Sequence, residues 1–166
     1  MCLTMKATEH NVLRRQLASF AAAGRGLWAV LQEESHLRVH LVAAVYVLYF
    51  SRWYTFSRGE YAVLFVLFGL VIGLECVNSA LERLCDRVCS EFDPAIGRVK
   101  DIAAGAVLAA SVCAVAVAVL LFWQPAVIAA VFRTLAGQPW RLALLLVSAV
   151  FAVWFVCGSP RLKKDK

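Results

Sequence analysis

Three kinds of signature are missing from this chain, and each absence narrows what it can be. The six cysteines (2, 76, 85, 89, 113 and 157) contain no CxxC pair. Cys85 and Cys89 sit one helical turn apart, but no histidine follows at zinc-finger spacing. They read as reduced thiols packed in or near a membrane. Residues 1–15 are polar and mixed in charge, without the short apolar core of a secretory signal. No GxxxxGK(S/T) stretch occurs, and Gly24-Arg25-Gly26 is too little of a GxGxxG to count, so the standard phosphate-binding loops are excluded. Charge is sparse too, at 17% of residues.

What fills the chain instead is apolar. Of its 166 residues 62% are hydrophobic, and the mean hydropathy is +0.74. A soluble domain of this size needs far less, and the apolar residues come in long blocks rather than at amphipathic spacing. The fold class expected is an all-α integral membrane protein. The net charge of +6 then sets topology and meets anionic lipid, rather than binding nucleic acid.

The blocks divide the chain. In 11–32, Leu13, Leu17, Phe20, Gly24, Leu27 and Leu31 fall on one helical stripe with Arg14, Arg15 and Arg25 off it. This fits an amphipathic helix lying in the membrane surface. Spans are expected at 39–56, 61–84, 102–123 and 141–157, the first ending in the boundary aromatics Trp53, Tyr54 and Phe56. Pro125 ends the third, and 126–136 is too short to cross and lies at the interface. With the N-terminus in the cytoplasm, only Arg52, Arg58, Arg133 and Arg141 of the 17 Lys and Arg residues face outward. That bias puts 85–100 at the cytoplasmic face. The resulting organisation is a flexible lead at 1–9, a membrane domain at 10–123, and an extension at 124–166 with a basic tail.

The second span is spoiled by polar groups. At about 100° per residue, Glu75, Asn78, Ser79, Glu82 and Asp86 share one helix face. An ionised group at mid-bilayer costs from about 2.5 kcal/mol upward, so Glu75 should face the bundle interior. Such a stripe can hold a divalent cation and take a proton, can be a polar packing seam, or can conduct protons or cations. The surroundings add Lys100-Asp101 at the same depth, Glu33-Glu34 before the first span, and Arg15. If they converge, they supply acids for a metal and cations for phosphates, as Mg²⁺–nucleotide requires. His36 and His40 are four apart, as metal-binding pairs can be, but lack a sharply placed acidic or cysteine partner, so they do not read as a metal site.

These residues resemble the prokaryotic diacylglycerol kinase family, which includes undecaprenol kinases. Glu75-Cys76-Val77-Asn78-Ser79-Ala80-Leu81-Glu82 fits its E-x-x-N-(S/T)-A-(I/L)-E motif, followed by Asp86, SEFDPAIGRVKD (90–101) and AAGAVL (103–108). Glu34 and Arg38 fit its E-x-x-(F/L)-R segment, and the likeness covers about residues 10–123. The resemblance implies an Mg²⁺- and ATP-dependent lipid kinase of the bacterial inner membrane, with a surface helix and three spans, assembled as a homotrimer with shared sites. It implies Glu75 as general base and Asn78 beside it. Glu34 and Glu82 are implied on the metal, and Lys100, Asp101, Arg15, Glu91 and Asp93 on nucleotide. Asp93 stands where a histidine is usual, and Ala22 where one branch has an aromatic. The lipid is diacylglycerol or undecaprenol. The rival from another class is a non-enzymatic bundle that uses the stripe as a seam or a cation path.

Overall fold

A computed structural model of the chain describes residues 2–89 and 93–158, with the side chains of 2–11 and 13 left aside. It consists of helices α1 (Cys2–Glu33), α2 (Ser35–Ser51), α3 (Arg58–Val88), α4 (Pro94–Phe122), α5 (Pro125–Gly137) and α6 (Pro139–Cys157). Among the described residues there is no strand. The helix starts follow local chemistry. Ser57 Oγ accepts from the Glu60 N–H at 3.2 Å while Glu60 Oε2 accepts from the Ser57 N–H at 2.6 Å, a reciprocal cap for α3. Asp93 Oδ1 accepts from the Ala95 N–H at 2.7 Å and Pro94 opens α4. Pro125 and Pro139 open α5 and α6 in the same way, where a missing N–H costs nothing.

Among the described residues three helices are long and apolar enough to cross a membrane: α3, α4 and α6, with 31, 29 and 19 residues. The last is the fourth expected span. α2 differs from expectation. It starts at Ser35 and stops at Ser51, so it has 17 residues instead of covering 39–56. At 1.5 Å per residue that is about 25 Å, just short of a hydrocarbon core of about 30 Å. The aromatic run leaves the helix because the N–H groups of Trp53 and Tyr54 bond back only three residues, to Phe50 O at 3.1 Å and Ser51 O at 3.0 Å. α1 is continuous from Cys2, within the stretch expected as a flexible lead. α5 has 13 residues and stays too short to cross.

α3 and α4 form the most extensively packed pair, with Val107 and Ala110 buried on α4. The α2–α3 turn meets the far end of α4. Tyr54 Oη donates to Phe122 O at 3.0 Å, and the Tyr54 and Phe56 rings stand edge-on to Phe122 at 4.8 and 5.1 Å. Burial pushes the Tyr54 hydroxyl above its usual pKa, so it remains a donor. α6 returns beside α2 in the opposite direction, with Arg141 near Arg52 and Val156 at Arg38. The buried core is thin: Leu37, Leu64, Val71, Val107 and Ala110 between α2, α3 and α4. Outside it Val66, Leu108, Leu120 and Val150 are exposed, an untenable surface in water and an ordinary one in lipid. Leu17, Phe20 and Leu27 on α1 are likewise uncovered by the described chain.

The thiols of Cys76, Cys85, Cys113 and Cys157 are free. The basic tail from 159 onward lies outside the described residues.

Candidate active site on the polar face of α3

Along α3 the residues turned inward are Leu64, Val71, Glu75, Ser79 and Cys85. Steps of seven, four, four and six keep them on one side of a helix, and halfway along it the face changes from hydrocarbon to polar groups. Glu75 is only 6% exposed and Ser79 2%, Asn78 and Glu82 are half-buried, and Asp86 is exposed. The five groups thus form one ramp from the bundle interior to its end, as the helical angles require.

A buried carboxylate needs a partner. Glu75 has one in His40 on α2, whose Nε2 lies 3.1 Å from Glu75 Oε1. The imidazole itself is a quarter exposed. Glu75 Oε2 has no hydrogen bond from the described chain, so one oxygen is held and the other is open to a ligand. One turn on, Asn78 Nδ2 donates to Glu82 Oε1 at 2.9 Å. Asn78 Oδ1 is buried without a partner, an oxygen lone pair left over inside the site.

The junction of α1 and α2 is pinned against this face. Glu34 is extended (φ −101°, ψ 115°), which breaks the helix there, and its side chain makes no cap. Arg38 holds the break. It is 4% exposed and donates to Leu31 O at 3.0 Å, Gln32 O at 2.8 Å and Val156 O at 3.1 Å. Those carbonyls belong to the last turns of α1 and α6, where no helical N–H remains to satisfy them. Arg83 on α3 pairs with Glu33 at 2.9 Å, drawing the junction toward the Asn78–Glu82 pair.

The expected nucleotide contacts are more dispersed. Lys100 Nζ is paired with the Asp86 carboxylate, which gives Asp86 a place and engages the cation expected on phosphate. Asp101 is exposed one residue further on. Asp93 spends its carboxylate on capping α4. Arg15 is exposed on α1 with no side-chain contact from the described residues, and Ala22 is exposed too. Glu91 lies outside the described residues. Among the described residues no three His, Cys, Asp or Glu side chains cluster as a ready metal site. His40 is absent from the residues that the sequence pointed to, where it figured only as half of a discounted metal pair with His36. The only signal available was a polar residue within an otherwise apolar helix, and its partner depends on how α2 and α3 align.

Residues 21–122 match the family described as prokaryotic diacylglycerol kinase. The chain is similar to the undecaprenol kinase of Bacillus subtilis (strain 168), 34% identical over 119 residues, which cover 71% of this chain and 97% of that protein. It is also similar to the diacylglycerol kinase of Escherichia coli (strain K12), 32% identical over 100 residues, 60% of this chain and 82% of that one. The matched stretch contains His40, Glu75, Asn78 and Glu82 and leaves α5 and α6 outside it. On that match the chain belongs to the prokaryotic diacylglycerol kinase family and is a lipid kinase.

Proposed function

We propose that the chain transfers the γ-phosphoryl group of ATP, with Mg²⁺, to the hydroxyl of a membrane-embedded lipid alcohol, diacylglycerol or undecaprenol. The observation that carries this reading is the Glu75 carboxylate, buried, held through Oε1 by His40 and open at Oε2. The lipid hydroxyl gives its proton to Glu75 as its oxygen forms a bond to the γ-phosphorus. The bond from that phosphorus to the bridging oxygen breaks, and ADP leaves with the electron pair. His40 keeps the carboxylate from swinging away, and Asn78 steadies the adjoining Glu82.

The residues present fit a hard divalent ion. Glu82 brings a carboxylate, Asn78 Oδ1 is a buried oxygen without a partner, and Glu34 presents an uncapped carboxylate at the pinned junction. Mg²⁺ commonly takes one or two protein carboxylates and completes its shell with phosphate oxygens and water, so a full protein cage is not needed. Glu34 and Glu82 would hold it, and it would offset phosphate charge. Lys100 exchanges Asp86 for a phosphate when nucleotide arrives, with Asp101, Asp93, Glu91 and Arg15 around the remainder of the nucleotide. The cations Arg83, Arg87, Arg98 and Lys100 at this end support a cytoplasmic site in a bacterial inner membrane. The exposed Val77 and Leu84 on α3 leave room for neighbouring copies in a homotrimer.

The match over 97% of an undecaprenol kinase makes undecaprenol the first substrate to try. The test is transfer of labelled γ-phosphate in detergent micelles to each lipid in parallel. Label in one of the two lipid phosphates, lost on chelation of Mg²⁺, is the expected result. Absence of transfer to both lipids by folded, ATP-binding protein would refute the reading.

A further inference from the structure

α5 and α6 form a unit beyond the family match, and α6 encloses a second cavity that shares nothing with the Glu75 site. Between α2 and α6 runs an apolar trough of about 770 Å³, walled by residues such as Leu41, Val45, Leu145, Phe151 and Phe155. One polar link crosses it, Tyr46 Oη to Ser148 Oγ at 3.0 Å. At Tyr49 and Leu144 the trough continues into a chamber of about 410 Å³ lined by Arg52, Trp53, Trp140 and Arg141.

That chamber is electrostatically incomplete. Among the described residues neither arginine has an acidic partner. Arg141 lies over the Trp140 ring, 5.1 Å from its centroid. Two guanidinium groups lining one chamber repel each other unless an anion lies between them. Guanidinium forks match phosphate oxygens, and tryptophans mark the level of lipid headgroups. Arg52 stands twelve residues beyond His40, about 18 Å along a helix, so the chamber lies at the opposite end of the bundle from Glu75.

An apolar trough capped by paired cations at headgroup level complements one class of molecule. We propose that the α2–α6 groove binds an anionic phospholipid of the leaflet opposite the Glu75 site, with its chains in the trough and its phosphate between Arg52 and Arg141. The lipid is a bound partner rather than a substrate, because its headgroup is a helix length away from the reacting carboxylate. The site stands whether or not the proposed phosphoryl transfer does.

The experiment is thermal unfolding of the purified full chain in a neutral detergent with added phosphatidylglycerol, phosphatidylcholine or water-soluble glycerophosphate. Phosphatidylglycerol at a large excess over its dissociation constant should raise the melting temperature by about 5 °C or more. The other two should not. The rise should vanish in the Arg52→Gln/Arg141→Gln variant and persist in Arg133→Gln, which removes another arginine of the same side. Ala152→Trp, which fills the trough but keeps both arginines, should also abolish it and guards against misfolding of the double variant. An equal rise with phosphatidylcholine, an equal rise with glycerophosphate, or a rise surviving in either the double variant or Ala152→Trp would overturn the proposal. So would stabilisation that follows protein concentration instead of lipid, which would assign the groove to a second copy.

Discussion

Replacing His40 by alanine tests how Glu75 is held. Only one side chain of the described residues bonds that carboxylate, through Nε2 to Oε1 at 3.1 Å, and Glu75 has a side-chain exposure of 7%. Water therefore has little access to replace the lost partner. A hydrogen bond to a charged group contributes about 1.5–3 kcal/mol. If that energy holds Glu75 in its reactive position, its loss raises the barrier by a similar amount. This corresponds to a roughly tenfold to 150-fold fall in kcat. KM for ATP should not move, since His40 bonds Glu75 while Lys100 pairs with Asp86, eleven residues or about 16 Å further along α3. The assay is steady-state phosphate transfer in micelles for wild type, His40→Ala, Glu75→Gln and the double variant. The two residues act as one unit, so the double variant should be no slower than Glu75→Gln alone. A kcat for His40→Ala within about twofold of wild type, below the 1.5 kcal/mol floor, would refute the coupling. Additive losses in the double variant would refute it too.

Glu82→Gln should raise the Mg²⁺ concentration needed for half-maximal rate, while Asp86→Asn should leave it unchanged. A Mg²⁺ titration at fixed ATP separates the two. Arg38→Ala removes three bonds to helix-end carbonyls and should destabilise the fold by about 2–4 kcal/mol, seen as a lower melting temperature. Arg38→Lys should recover only part of this, because an ammonium lacks the planar fork that reaches two helices at once. Truncation after Gln124 deletes α5 and α6 but only one of those bonds, Arg38 to Val156 O, so turnover per folded molecule should survive. Phosphate-transfer assays on the truncated chain check this.

The ramp on α3 was legible because a helix converts spacing into direction without help from the remainder of the chain. Glu75 and Ser79 four apart had to be buried together if either was. The same logic placed α3, α4 and α6, whose apolar blocks are long and end at proline or at polar groups. It failed for α2, whose aromatic end reads as hydrocarbon yet turns out of the helix after Ser51, where tertiary contacts of Tyr54 and Phe56 with Phe122 take over. Pairings across helices were also invisible. His40 with Glu75, Arg83 with Glu33 and Arg38 with Val156 depend on the register of separate helices. That register follows from the break at Glu34, which no composition rule marks. Lys100 with Asp86 crosses a turn, and spacing alone left Asp86 without a role.

The central claim is that Glu75 accepts the proton of the lipid hydroxyl. Single-turnover transfer from ATP to undecaprenol or diacylglycerol, compared between wild type and Glu75→Gln at equal ATP occupancy, tests it most directly. Glutamine keeps the size and the bond to His40 but cannot take a proton. A fall of about 10²–10⁴-fold in the transfer step, with folding and nucleotide binding retained, is the expected result. An unchanged transfer rate in Glu75→Gln would contradict it.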